Sequence, residues 1–153
     1  MLSLSMDPEF ALLAKQPRPV LQDATVAREA VSAARQEAGP RLPDLDLEIK
    51  DYNVPRSDTE KERVSVRIYR RRNAMGAQPV LLYLHGGGFF CGDLLSEESQ
   101  CIHYALKAEC AVVCVAYRLA PEKPFPAALT DCYRVFEFLW SESTTLNLDR
   151  DFI

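Results

Sequence analysis

The stretch Val80-Leu81-Leu82-Tyr83-Leu84-His85-Gly86-Gly87-Gly88-Phe89 decides how this chain is read. Five apolar residues without a polar interruption fit a strand covered on both faces, as in a parallel sheet. A histidine and three consecutive glycines then end it. A second uninterrupted run, Ala111-Val112-Val113-Cys114-Val115-Ala116, carries the same signature. Between the two lies a helical pattern from about Ser96 to Glu109, with Ile102, Ala105 and Leu106 on one face. Strand, helix and strand over this length predict a βαβ crossover, so the two strands should run parallel and the class is α/β.

Outward from that unit the pattern changes twice. Downstream, Pro121 to Pro126 form a connection, and a further helix follows with apolar positions Leu129, Cys132, Phe136, Leu139 and Trp140. Its aromatics (Tyr133, Phe136, Phe138, Trp140) are expected to pack in the core rather than to form a binding box. Phe152 and Ile153 read as the first residues of a third buried strand. Upstream, Leu45, Leu47 and Ile49 alternate with Asp46, Glu48 and Lys50, a strand with one wet face; the phase slips at Asp51-Tyr52, which predicts a bulge. Pro55 to Asp58 is turn chemistry, and Val64, Val66 and Ile68 alternate with Arg63, Ser65 and Arg67 in a second half-exposed strand. Further upstream, Asp7-Pro8-Glu9 reads as a helix start, and a second helix is expected from about Asp23 or Thr25 to Ala38, closed by Gly39-Pro40.

The chain has 153 residues, 48% hydrophobic and 26% charged, which excludes a collagen-like, mucin-like or disordered polymer. Its net charge of -4 gives no electrostatic footprint for nucleic acid. Arg70-Arg71-Arg72 would suggest such a patch in isolation; within an acidic total it reads as a solvated hairpin end. Five cysteines and only two histidines, without a Cys-x-x-Cys, offer no zinc pattern, and no metal or cofactor is expected. No apolar run reaches membrane-span length and no secretory leader is visible, so a cytoplasmic, reducing location is expected.

The candidate chemistry lies in the glycine loop. A loop at the carboxyl end of a buried parallel strand sits where open α/β sheets place their sites. Successive glycines let backbone N–H groups approach a ligand closely. Phosphate binding is one use of such a loop, but no Gly-Lys-Ser/Thr and no Gly-x-Gly-x-x-Gly is present. A second is an oxyanion hole, whose N–H donors hold the negative oxygen of a tetrahedral intermediate. A third reading is a tight turn without a ligand.

His85-Gly86-Gly87-Gly88-Phe89, followed by Tyr117-Arg118-Leu119-Ala120-Pro121-Glu122, Pro124-Phe125-Pro126 and Ala128-Leu129-Thr130-Asp131, resembles the hormone-sensitive lipase-like branch of the α/β-hydrolase fold. The opening Asp7-Pro8-Glu9-Phe10 is similar as well, so the resemblance runs from about Asp7 to Ile153. It implies hydrolysis of small carboxylic esters by a Ser-His-Asp triad under an N-terminal helical cap. It divides the chain into a cap segment, 1–40, and an incomplete hydrolase core, 41–153, with antiparallel leading strands and then the parallel βαβ strands. It assigns the oxyanion hole to Gly86, Gly87 and Gly88: the amides of Gly87 and Gly88 face the oxyanion and Gly86 frames the turn. His85 shapes the loop and is not the triad base, while Tyr117, Arg118, Glu122 and Asp131 are architectural. Arg118 should pair with Glu122 or Asp131, since buried charges need partners.

The resemblance also sets an expectation that the sequence does not meet. The family's nucleophile lies in a Gly-x-Ser-x-Gly elbow after the next buried strand. None of Ser3, Ser5, Ser32, Ser57, Ser65, Ser96, Ser99, Ser141 and Ser143 has a glycine two residues away. The chain is therefore read as the N-terminal half of the fold, truncated before the elbow, with an oxyanion loop, no triad and little activity alone. Cys91, with Asp93 and His103 nearby in sequence, is the only substitute nucleophile to weigh, and small-residue packing is favoured over it. Two other readings stay open: a member of the fold that binds a small ligand without turnover, and a short product that binds a partner through an open sheet edge. The edge would be that of Val80–Leu84, left without its outer neighbour. Oligomeric state and acyl preference are not legible.

Overall fold

The computed structural model describes residues 26, 28, 29, 46–56 and 62–153. The expected cap helices of residues 1–40 lie outside these, apart from Val26, Arg28 and Glu29, which are helical. Four strands, β1 (Leu47–Pro55), β2 (Arg63–Arg71), β3 (Val80–Leu84) and β4 (Ala111–Ala116), form one sheet in the order β1-β2-β4-β3. Helix α1 (Glu98–Lys107) joins β3 to β4, and α2 (Ala127–Ser141) and the short α3 (Ser143–Leu146) follow β4. β3 and β4 are parallel, with Val80 beside Ala111 and Leu84 beside Val115. The βαβ unit is therefore as the sequence predicts. β2 runs antiparallel to both β1 and β4.

The sheet separates two cores. On one face Val64, Val66, Ile68, Ala111, Val113 and Val115 pack against Val135 and Leu139 of α2. On the other, Leu47, Tyr69, Val112 and Cys114 pack against Cys101, Ile102 and Ala105 of α1. β4 thus alternates between two dry faces, which explains its unbroken apolar run. α1 begins after a turn organised by Asp93, whose carboxylate accepts from the Leu95 and Ser96 amides at 2.8 and 2.9 Å. Glu98 in its first turn and Lys107 in its last complement the helix dipole.

Three expectations are corrected. The bulge at Asp51-Tyr52 is absent: β1 pairs with β2 in unbroken register from Leu47–Arg71 to Pro55–Arg63. The phase slip arises because β1 changes the face it buries, with Leu47 and Ile49 in the α1 core and Tyr52 and Val54 in the α2 core. The aromatics of α2 are not all core residues. Asp131, Val135 and Leu139 face inward, while Tyr133, Phe136 and Trp140 are 60%, 38% and 52% exposed. The helix carries two apolar stripes, and the sheet can cover only one. Arg70-Arg71-Arg72 is not simply solvated: Arg70 pairs with Glu48 at 2.6 Å, while Arg71 and Arg72 donate to the Leu106 and Leu47 carbonyls.

β3 departs from its pattern in the same way. It is an edge strand and only part of it is covered: Val80 and Leu82 join the α2 core and Tyr83 the α1 core, while Leu81 is 37% and Leu84 49% exposed. Among the described residues its outer edge is engaged only at its start. The Val80 amide donates to the Phe152 carbonyl at 2.8 Å, and Gln78 bridges Leu148 in parallel. Phe152 thus lies where a parallel neighbour of β3 would begin, as the sequence suggests. Beyond Val80 the alternation of the ladder presents the polar backbone of Leu82 and Leu84 to the open side. Such an edge is a template for intermolecular pairing. The isolated 153-residue chain is expected to self-associate with increasing concentration in sedimentation velocity; a monomer with a sharp, reversible melt would contradict this.

Candidate functional site

The loop after β3 is built on unusual backbone. Gly87, Gly88, Phe89 and Gly92 have φ of 120°, 59°, 65° and 110°. At Gly87 a Cβ would stand 2.2 Å from the Cys91 carbonyl oxygen, so no side chain fits. At Gly92 a Cβ would stand 2.1 Å from Nδ1 of His85. Gly92 had no signal in the sequence, since its requirement comes from a ring seven positions earlier. The turn closes on the Gly87 carbonyl, which accepts from the Phe90 and Cys91 amides at 3.2 and 3.1 Å. The amides of Gly87 and Gly88 have no acceptor among the described residues. Adjacent free amides on a run of positive φ form the kind of concavity that attracts an anion or a developing negative charge.

His85 is 3% exposed and supports this turn from below. Its Nδ1 lies 2.8 Å from the Gly86 carbonyl, which can only accept, so Nδ1 carries the proton. Its ring stacks on Tyr117 with centroids 4.0 Å apart and planes inclined by 12°, and the Tyr117 hydroxyl donates to the His85 carbonyl. Burial pushes the Tyr117 phenol up to about 12, so it stays a donor at neutral pH. His85 and Tyr117 thus fix the junction of β3 and the loop from two strand ends.

Arg118 and Asp131 meet as expected, and a third residue joins them. Asp131, at 0% exposure, accepts from the Arg118 amide at 2.9 Å and ion-pairs with the Arg118 guanidinium at 2.8 Å and with Arg56 at 3.1 Å. One carboxylate therefore ties the end of β4, the start of α2 and the end of β1. Glu122 takes a different partner, Arg28, at 2.7 Å. Neither Arg28 nor Arg56 was legible as a site residue, because each is far in sequence from its partner.

Cys91 does not form a nucleophile–base pair. Its thiol is buried and lies 3.3 Å from the Gly87 carbonyl, while His103 sits on α1 against Tyr104. Cys91 packs beneath the glycine turn, as the bland reading expects. All five cysteines are free thiols. Among the described residues no cluster of His, Cys, Asp and Glu could hold a metal ion, and no helix is long and apolar enough to cross a membrane.

A cavity of about 700 Å³ opens beside the loop. Gly86, Gly87 and Gly88 line it together with apolar Leu84, Phe89, Phe125 and Leu129, and its charged contributors are Arg118 and Lys123. Two amides without an acceptor among the described residues thus belong to glycines that line an apolar recess. A polarised carbonyl attached to a hydrocarbon group fits such a recess.

The pair of Glu122 and Arg28 carries a pH signature. The Arg28 guanidinium, with a backbone hydrogen bond, holds the Glu122 carboxyl down at about 2, against an ordinary 4.5. A depressed carboxylate contributes stability that is complete above its unfolded pKa and is lost as pH falls through its folded one. Compared with Glu122→Gln, the full-length gene product should therefore show a constant stability advantage above about pH 5, closing between about pH 4.5 and 2. Thermal midpoints of both proteins across that range check this; an advantage that persists at pH 2 would contradict it.

Residues 81–153 match the α/β hydrolase fold family. The chain is 33% identical to the carboxylic ester hydrolase LipN of Mycobacterium tuberculosis over 86% of its own length and 35% of that protein's. It is 40% identical to esterase LipI of the same organism over 65% of its length and 29% of that protein's. Among solved structures, a bacterial heroin esterase superposes with a TM-score of 0.83 at 31% identity, covering 94% of this chain and 45% of that one. The chain thus spans about a third of the curated relatives and less than half of this structural relative.

Proposed function

Because the chain belongs to the α/β-hydrolase fold superfamily, in its hormone-sensitive lipase-like branch, we propose that it carries the oxyanion-binding part of a carboxylic-ester hydrolase. The observation that carries this reading is the pair of amides at Gly87 and Gly88, without an acceptor among the described residues, beside the apolar cavity. An ester's acyl carbon becomes tetrahedral on attack, and its carbonyl oxygen gains a full negative charge. Donors already in place stabilise that charge without reorganising, and each is worth about 2.7–4 kcal/mol in the transition state. Gly86 completes the turn, and His85 with Tyr117 holds it. The nucleophile, acid and base would come from sequence outside these 153 residues, since no Gly-x-Ser-x-Gly occurs within them. The apolar lining suits a short acyl chain or an alcohol group, and no metal or redox cofactor enters this reading.

The test compares the full-length gene product with the 153-residue chain on p-nitrophenyl esters from acetate to octanoate. Turnover by the full-length protein and none above background by the short chain is the expected result. A full-length product that binds these esters without hydrolysing them would replace the esterase with a ligand-binding member of the fold.

The exposure of β3 favours a second reading, a short product that docks a partner strand on its open edge. A stable complex of the short chain, lost on Leu82→Lys, is the outcome that would support it.

A further inference from the structure

We infer that Arg28 is a positioning residue for the glycine loop: it holds the turn in the conformation that leaves the Gly87 and Gly88 amides free. This inference rests on the reading of those amides as an oxyanion hole. The guanidinium reaches three places at once. Nε donates to the Phe90 carbonyl at 2.7 Å, Nη2 to the Ala120 carbonyl at 2.7 Å, and Nη1 and Nη2 to the two carboxylate oxygens of Glu122, each at 2.7 Å. Phe90 ends the glycine turn, and the Ala120 amide in turn donates to the Phe89 carbonyl at 2.8 Å. No other donor to the Phe90 or Ala120 carbonyl is present among the described residues. Arg28 therefore closes a three-way junction between an N-terminal helical residue, the glycine loop and the turn after β4.

The loop needs such a restraint. Gly87, Gly88 and Phe89 follow one another at positive φ, a conformation that a free chain visits rarely and that glycine leaves easily. Inside the turn the Gly87 carbonyl accepts from the Phe90 and Cys91 amides and the Cys91 thiol, and His85 and Ala120 engage the Gly86 and Phe89 carbonyls; at the Phe90 carbonyl Arg28 supplies the bond. A planar fork with fixed donors can serve two carbonyls and a carboxylate together; a lysine ammonium is a point charge and cannot match the geometry. The alternative, that Arg28 acts only through a surface ion pair, covers the Glu122 contact, which is exposed. It does not cover the two carbonyl bonds, which are partly buried.

The experiment uses the full-length gene product and the variants Arg28→Ala, Arg28→Lys and Glu122→Gln. Hydrogen exchange of the peptide spanning residues 85–91 is read first, because it needs no activity. Arg28→Ala should exchange there about tenfold faster while β2 and β4 stay protected, with Arg28→Lys intermediate and Glu122→Gln close to wild type. Steady-state hydrolysis of p-nitrophenyl butyrate is read second. Arg28→Ala should lose about tenfold in kcat with KM altered less than about twofold, and added guanidinium ion should restore part of the loss. Unchanged loop exchange in Arg28→Ala would overturn the inference whether or not the protein hydrolyses esters. If Arg28→Ala does not fold, Arg28→Lys decides in its place, by the same exchange readout. Faster exchange with an unchanged kcat would also overturn the positioning role. A wild type that hydrolyses no ester would remove the proposed function and with it the positioning role, leaving loop exchange to report only whether Arg28 restrains the turn.

Discussion

Gly87→Ala is expected to lower ester hydrolysis by the full-length gene product by about 10²–10³-fold in kcat, the loss that follows removal of one oxyanion donor. The reason is steric and local. The new Cβ would meet the Cys91 carbonyl oxygen at 2.2 Å, its carbon at 2.8 Å and the Cys91 thiol at 2.9 Å. Two of these atoms are backbone, and they belong to the residue whose amide closes the turn on the Gly87 carbonyl, so relief requires the loop to open. The φ of 120° adds strain that an alanine cannot relax in place. Opening the turn is expected to rotate the Gly87 amide away and to leave most of the cavity lining in place. The signature is therefore a fall in kcat with a much smaller change in KM. A folded Gly87→Ala protein that keeps kcat within a few-fold of wild type would show that this amide does not meet the developing charge.

Asp131→Ala carries the largest expected effect on stability, about 3–5 kcal/mol, as for other buried ion pairs deprived of one partner. The Asp131 carboxylate is fully buried and answers three donors: the Arg118 amide and the side chains of Arg118 and Arg56. Its removal leaves two guanidinium groups, only 23% and 20% exposed, facing each other without an anion. Asp131→Asn keeps an acceptor for the Arg118 amide but not the charge, and its loss should fall between wild type and Asp131→Ala. Urea unfolding of the full-length product at neutral pH measures both. A loss below about 1 kcal/mol for Asp131→Ala would mean that the arginines find water or other acceptors at little cost.

These two positions also show what the sequence could and could not say. Gly87 was legible because its signal is local: three glycines after an apolar run leave few readings. The run of β4 was legible for the same reason, since both faces of one strand are written in consecutive residues. The burial of β3 was not, because an apolar run states what a strand can bury and not what stands beside it. β1 misled by its phase slip, which records a change of covered face along a straight strand and not an extra residue. In α2 the inward stripe and the exposed aromatics share one helical spacing, and only the position of the sheet separates them. The sequence left Arg118 a choice between Glu122 and Asp131, and the structure pairs it with Asp131, thirteen residues away. Its second partner, Arg56, and the Arg28 partner of Glu122 come from 75 and 94 residues away. No periodicity carries such pairings; they exist only once the sheet is assembled.

A serine hydrolase differs from a ligand-binding member of the fold and from a short partner-binding chain in its reaction with a fluorophosphonate. A fluorophosphonate places its phosphoryl oxygen where the ester oxyanion would sit; an activated serine oxygen bonds to its phosphorus as the P–F bond breaks, fluoride leaves and the general base takes the serine proton. The intact mass of the natural protein, recorded before and after such a reagent, tests that directly. A protein larger than 17.3 kDa that gains a single phosphonyl group is the predicted result. A natural product of 17.3 kDa that gains nothing would contradict it.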